Sequence, residues 1–322
     1  MRPGLYLLFV LLVLALTIAS LTVPLHSLPE LFETDPDLAW IVVAELRLPR
    51  ALLALVYGAV LGASGAAIQA LFANPLASPD ITGATGGAAF GAVITAYLIG
   101  FASPFGVAIG GVAGAGIALA LLLMLAGPRA ETATLLLAGI AISAITGAGT
   151  ALALALAPSP FAFYDAYAWL MGSLVDRSLP QLAFAAIPAL AAIAYFARCT
   201  PALDRLALGE DVAEAMGHDV AALRRNIIIA TAIGVGAAVS VCGAVGFIGL
   251  VGPVIARKLT AGHPGRAVLP AALIGAVLLL AADIAVRFAP PDRSVPIGVL
   301  TALLGAPFFL WLVAHMRWSA RP

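Results

Sequence analysis

Charge is what this sequence lacks most. Only 10% of its residues are Asp, Glu, Lys or Arg, against roughly a quarter in ordinary soluble domains. Lysine occurs once, at Lys258, and Leu259 follows it. A phosphate-binding loop needs Gly-Lys followed by Ser or Thr, so the chain carries no ATP site of that kind. The four histidines (His26, His218, His263, His315) are scattered and have no metal-ligand spacing. Two cysteines, Cys199 and Cys242, are too few for a disulfide framework; both fall in or beside apolar runs and read as packing residues. No paired-aspartate motif for a prenyl diphosphate is present. Asp283 alone among the acids lies well inside an apolar run, four residues before Arg287, a favourable i,i+4 order for an ion pair. Carriers driven by protons or ions usually keep ionisable groups at mid-membrane. The shortage therefore speaks against a self-contained secondary transporter and against an intramembrane enzyme.

Apolar length is what the chain has in excess. It is 63% hydrophobic, with a mean hydropathy of +1.10. Apolar runs near the roughly 20 residues that cross a bilayer fall at 5–24, 51–70, 105–127, 132–157, 182–197, 227–247, 268–286 and 297–315. Two more, 83–100 and 247–258, are shorter or richer in Gly and Pro; such spans are tolerated where protein surrounds them. The expectation is an all-α polytopic membrane protein of about ten helices, one domain over 1–322. The first run is longer than a secretory h-region and lacks a small-residue cleavage site, so it reads as a retained helix. Gly58/Gly62, Gly87/Gly91 and Gly106/Gly110 supply G-x-x-x-G spacings for close helix approach.

Sidedness follows from the basic residues. With ten crossings and an inner N-terminus, eleven fall inside: Arg2, Arg129, Arg198, Arg205, Arg224, Arg225, Arg257, Lys258, Arg266, Arg317 and Arg321. Five fall outside: Arg47, Arg50, Arg177, Arg287 and Arg293. Both termini are thus expected in the cytoplasm.

One stretch breaks the apolar pattern. Residues 208–226, "LGEDVAEAMGHDVAALRRN", hold six charges. They read as two short helices within a cytoplasmic insert at about 204–226. Glu210, Asp211 and Glu214 suit the positive end of the first helix, and Gly217 can supply its left-handed stop. Asp219 can cap the second, with Arg224 and Arg225 at its negative end. Val212, Ala215, Met216, Val220 and Leu223 make an apolar stripe. The pattern fits either a helix pair lying on a partner protein or a solvated loop on the membrane surface.

Several blocks resemble the permease subunits of ATP-binding-cassette importers for iron–siderophores, haem and vitamin B12, the FecCD family of type II importers. They are "RLPRALLALVYGAVLGASGAAIQALFANPLASPDITGATGGAAFGA" (47–92), "LLLAGIAISAITGA" (135–148), "WLMGSL" (169–174), "GEDVAEAMGHDVAALRR" (209–225), "GAVGFIGLVGPVIAR" (243–257), "LLLAADIAVR" (278–287) and "VPIGVLTALLGAPFFLWLV" (295–313). They run in the family's order over nearly the whole chain. One departure is Gly252 in "IGLVGPVIAR", where the family usually has valine, with no histidine after the proline.

The resemblance implies a homodimer in the bacterial inner membrane, served by two cytoplasmic ATPase subunits and a periplasmic binding protein. The chain itself would bind no cofactor; ATP and Mg would sit on the ATPase, and no nucleic acid is involved. The resemblance assigns ATPase coupling to the insert, namely Gly209, Glu210, Asp211, Val212, Glu214, Met216, Gly217, His218, Asp219, Leu223, Arg224 and Arg225. It places a cytoplasmic gate at Asn74 and Leu76, with Thr132 and Thr134 near a second gate segment. For Asn74 the residues alone equally favour a helix-terminating turn before Pro75. Ser143, Thr146 and Thr150 are candidates to line the pathway, although such hydroxyls can also bond backbone. Arg47, Arg50 and Arg287 match positions that meet glutamates of the binding protein; read from the residues alone they could instead snorkel to headgroups or pair with Glu45 and Asp283. The expected cargo is a metal chelate, an iron–siderophore first, then haem or cobalamin.

Overall fold

The computed structural model describes residues 3–23, 27–101, 103–127, 132–289 and 295–319. Arg2, His26, Arg129, Arg293 and Arg321 lie outside the described residues, as do the side chains of Thr132, His315 and Arg317. Among the described residues the chain forms helices and no strand.

Helix α1 (Pro3–Thr22) is followed by the short α2 (Ser27–Thr34) and α3 (Pro36–Ile41). A π-helical turn, Val42–Arg47, joins α3 to α4 (Leu48–Leu71). A loop holding the 3-10 turn Pro79–Thr82 leads to α5 (Ala84–Tyr97), α6 (Pro104–Ala126) and α7 (Thr132–Ala155). Then come α8 (Pro160–Leu170), α9 (Leu179–Arg198), α10 (Thr200–Leu206), α11 (Glu210–Ala215) and α12 (Val220–Cys242). Helices α13 (Ile248–Leu259), α14 (Val268–Val286) and α15 (Ile297–Ser319) complete the fold.

Among the described residues, seven helical stretches are long and apolar enough to cross a membrane: α1, the continuous α3–α4 rod, α6, α7, α9, α12 and α14. Helix α15 adds a shorter apolar stretch, Ile297–Leu312. The remaining two expected spans are α5, with 14 residues, and α13, with 12. These ten helices correspond to the ten apolar runs. The two short ones start inside the fold, where broken backbone is sheltered by protein.

Close approach of small residues sets the core. A Cβ on Gly275 of α14 would lie 2.1 Å from the Gly58 carbonyl oxygen of α4, and one on Gly62 would lie 2.0 Å from that of Ala271. Helices α5 and α6 meet in the same way through Gly87, Gly91, Gly110 and Gly114. Gly58/Gly62 and Gly87/Gly91 thus act as helix-contact pairs. Gly106 does not join them; it faces Phe101, and Gly114 takes its place one turn further along α6.

The break between α12 and α13, residues 243–247, is buried and would leave backbone groups unpaired in a dry interior. Tyr57 of α4, almost fully buried, answers both sides of it. Its hydroxyl donates to the Gly243 carbonyl at 2.9 Å and accepts from the Val245 amide at 3.2 Å. Gln69 of the same helix donates to the Leu250 carbonyl at 3.3 Å. Both cysteines are buried and unbridged. Burial pushes the Cys199 thiol above its ordinary value, which fits a packing role rather than a reactive thiolate.

Candidate functional site

The charged insert folds against α4 and the turn between α13 and α14. Leu203 and Leu206 of α10 are buried, and α10 packs on α4. Asp204 accepts a bond from the Gly265 amide at 2.8 Å, and the Thr200 hydroxyl donates to the Gly265 carbonyl at 3.3 Å. The insert is thereby fastened to the turn between α13 and α14. Gly209 reverses the chain at φ +113°, and α11 begins with Glu210 and Asp211 in its first turn, where negative charge is favoured. Helix α11 ends in a Schellman motif. The Gly217 amide reaches the Glu214 carbonyl at 2.9 Å and the His218 amide reaches Ala213 at 3.1 Å, with Gly217 at φ +86°. Asp219 then caps α12 by accepting from the Ala222 amide at 2.8 Å.

The expected second short helix is not separate. It forms the polar first turns of α12, which runs unbroken from Val220 to Cys242. No Gly or Pro interrupts the sequence between Asp219 and Gly234, so nothing stops the helix before it enters the core. Arg224 accordingly sits in the second turn of a long helix rather than at a negative end. It is buried and pairs with Glu210 at 2.5 Å, tying α11 to α12. His218 is held by Arg205. The apolar stripe divides. Ala213 and Val220 are buried and Leu223 packs on the core. Val212 and Met216, four residues apart at the start and end of α11, are 43% and 51% exposed, and Leu208, before the Gly209 reversal, is 65% exposed. Asp211, Glu214, Ala215 and Arg225 are exposed as well.

At the end of α4 the chain turns at Asn74. Its side-chain oxygen accepts from the Leu76 amide at 2.9 Å, while Ala73 takes a left-handed φ of +45°. Helix α4 itself is closed by the Ala73 amide on the Ala70 carbonyl at 3.3 Å and the Asn74 amide on the Gln69 carbonyl at 3.1 Å; the Asx turn follows it at Pro75, and both Asn74 and Leu76 are half-buried. Thr134 is exposed near the start of α7. Thr146 is buried on the face of α7 that packs on α5, where a Cβ on Gly86 would come 2.5 Å from its hydroxyl. That hydroxyl donates to the Ile142 carbonyl at 2.8 Å, and the Thr150 hydroxyl donates to the Thr146 carbonyl at 2.8 Å. Ser143 and Thr150 are half-buried beside it.

At the opposite end of the molecule the arginines converge. Arg50 Nε meets one oxygen of Asp283 at 2.8 Å and Arg287 meets the other at 2.5 Å. The pair inferred from i,i+4 spacing is thus present, with a second arginine added from α4. Arg287 also donates to the Ser20 carbonyl and hydroxyl, at 2.5 and 2.6 Å, and Arg47 donates to the Leu21 carbonyl at 2.9 Å. These are the unpaired carbonyls at the end of α1, where cations are favoured. Glu45, the other acid considered, lies on the π-helical turn. The arginines fall into two groups at opposite ends of the molecule. Arg47, Arg50 and Arg287 share one end, and Arg205, Arg224 and Arg266 share the other.

Asp80 was given no role in the sequence reading. It is exposed on the 3-10 turn between the Asn74 turn and α5. Its only signal was an acid between Pro79 and a glycine-rich helix.

Comparison with known proteins agrees with this architecture. The FecCD transport family matches residues 7–315. The Fe(3+)-citrate import system permease protein of Bacillus subtilis (strain 168) is 36% identical over 274 residues, 84% of this chain and 81% of that protein. The vitamin B12 import system permease protein of Salmonella typhi is 42% identical over 276 residues, 84% of this chain and 83% of that protein. A solved metal-chelate-type ABC transporter in an inward-facing conformation superimposes with a TM-score of 0.86 at 31% identity, covering 98% of this chain and all of that one. The chain is a multi-pass membrane protein of the FecCD transport family.

Proposed function

We propose that this chain is the membrane-spanning permease of an ATP-driven importer for a metal chelate. It works as a homodimer in the bacterial inner membrane with both termini in the cytoplasm. Two ATPase subunits engage α11 and its flanks, and a periplasmic binding protein delivers cargo at the end marked by Arg47, Arg50 and Arg287. The first cargo to test is an iron–siderophore. Cobalamin is the second, because relatives at about 42% identity are vitamin B12 permeases. The Asn74–Leu76 turn closes the inner side, and Thr134, exposed near the start of α7, lies near a second gate segment. Thr146 is committed to packing in this conformation, which leaves Ser143 and Thr150 as the better lining candidates. Of the arginines, Arg287 is the most enclosed, its side chain 8% exposed against 19% for Arg50; it supports the docking surface while Arg47 and Arg50 meet the partner.

The observation that carries the reading is the capped α11 with its exposed Val212 and Met216, preceded by the exposed Leu208, in an insert fastened to α4 and to the α13–α14 turn. An exposed apolar cluster on an ordered element is a surface for a partner protein, and its attachments carry motion from that partner to the gate-bearing end of α4. The test is Val212→Glu with Met216→Glu. The variant should still insert in the membrane but lose co-purification with the ATPase subunit and lose substrate-stimulated ATP hydrolysis. Full retention of both would remove this patch from the coupling interface.

A further inference from the structure

Asp80 lies deep in the molecule, although no long helix carries it. Pro79 packs on Gly249, where a Cβ would meet the Pro79 ring at 2.7 Å and the Leu61 carbonyl oxygen at 3.1 Å. Leu61 stands ten residues before the inner end of α4 at Leu71, about 15 Å at the helical rise. On the other side, the Ile81 carbonyl oxygen would touch a Cβ on Gly139 of α7 at 1.9 Å. Gly139 stands seven residues from the start of that helix, about 10 Å. The turn thus sits near the middle of a hydrocarbon core about 30 Å thick.

At that depth Asp80 is exposed on the single chain. Among the described residues no cation forms an ion pair with it. Its neighbours are hydroxyls. Ser78 Oγ is 3.4 Å from its carboxylate, and Thr85, in the first turn of α5, faces it with a buried oxygen that has no other partner. An exposed carboxylate at mid-depth has three possible surroundings. Lipid would not tolerate the charge. A dry contact with a second copy would oppose two unpaired carboxylates without water. A water-filled passage satisfies it.

We propose that Asp80 lines the translocation passage at mid-membrane and makes it electronegative, so that neutral or cationic chelates pass in preference to anionic ones. Fixed charge in a narrow cleft of low dielectric raises the local concentration of opposite charge and excludes like charge. This rests on the importer reading given above and narrows its cargo class by charge.

The test uses the full complex with its ATPase in lipid vesicles. Ser78→Cys places a thiol beside Asp80, and the native Cys199 and Cys242 are buried and serve as background. The probes are the trimethylammonium-ethyl and sulfonato-ethyl methanethiosulfonates, each rate normalised to its reaction with a small free thiol. The cationic reagent should react at least about tenfold faster than the anionic one. Adding Asp80→Asn should abolish the preference, and adding Asp80→Glu should keep it. A preference unchanged by Asp80→Asn would overturn the proposal, as would a thiol that reacts with neither reagent in any nucleotide state while Met216→Cys does react. The readout needs neither cargo nor binding protein. ATP-independent uptake would therefore overturn the importer reading and leave this result standing.

Discussion

Asp283 holds two arginines at once, and the three residues come from two helices more than two hundred positions apart. With one carboxylate between two guanidiniums, the cluster keeps a net positive charge at this end of the molecule while the most enclosed member, Arg287, stays paired. Removing the acid leaves a buried cation with only neutral partners, which typically costs about 3–5 kcal/mol. Asp283→Asn should therefore lower the thermal midpoint of the detergent-solubilised protein clearly, measured by a fluorescence melt; an unchanged midpoint would mean that water already screens the cluster. At this scale the sequence was informative only over short range. The four-residue spacing of Asp283 and Arg287 and the Asn-Pro turn signal at Asn74 were both readable. Arg50 joining the pair was not, because no local pattern brings α4 beside α14; the contact follows from Gly58, Gly62 and Gly275, whose partners are also distant. Asp80 was missed because depth cannot be read once the chain leaves a helix.

Among the elements, helix ends were better marked than helix continuity. Gly217 and Asp219 each do what their residue types suggest, stopping α11 and starting α12. The division of the insert into two short helices failed because capping signals mark where a helix begins without saying how far it runs, and the polar start of α12 leads directly into its apolar length. Similarly, α5 and α13 were legible as apolar runs too short to cross alone, but the turn of 243–247 depends on a tyrosine from α4 that the local sequence does not announce. The insert's role can be examined through its own helix. Proline at Ala215 would remove an intrahelical donor and clash with the preceding turn, a cost of about 3 kcal/mol, more than a six-residue helix can absorb. Ala215→Pro should leave the complex in the membrane and its basal ATP hydrolysis near normal, while substrate-stimulated hydrolysis falls. Stimulation at the native level, followed by phosphate release, would show that an ordered α11 is not required.

For the whole molecule, the shortage of charge and the distribution of what charge there is point the same way. One end gathers arginines around the end of α1, and the other carries a capped, partly apolar projection braced against α4 and the α13–α14 turn. No phosphate-binding loop is present in the sequence, and the proposed importer receives its energy through that projection. The fold class, the number of apolar helices and the family were all legible before any coordinates, since long apolar runs and ordered sequence blocks are global signals. The cargo was not, because a passage is lined by residues from many helices whose inward faces are set only by packing. The central claim is tested most directly by uptake into vesicles holding this chain with its ATPase subunit, given the binding protein loaded with a radiolabelled iron–siderophore or with cobalamin. Accumulation of either chelate should require ATP and the binding protein together and should persist when the membrane's ion gradients are collapsed. Accumulation without ATP, driven by a proton or sodium gradient, would contradict the account.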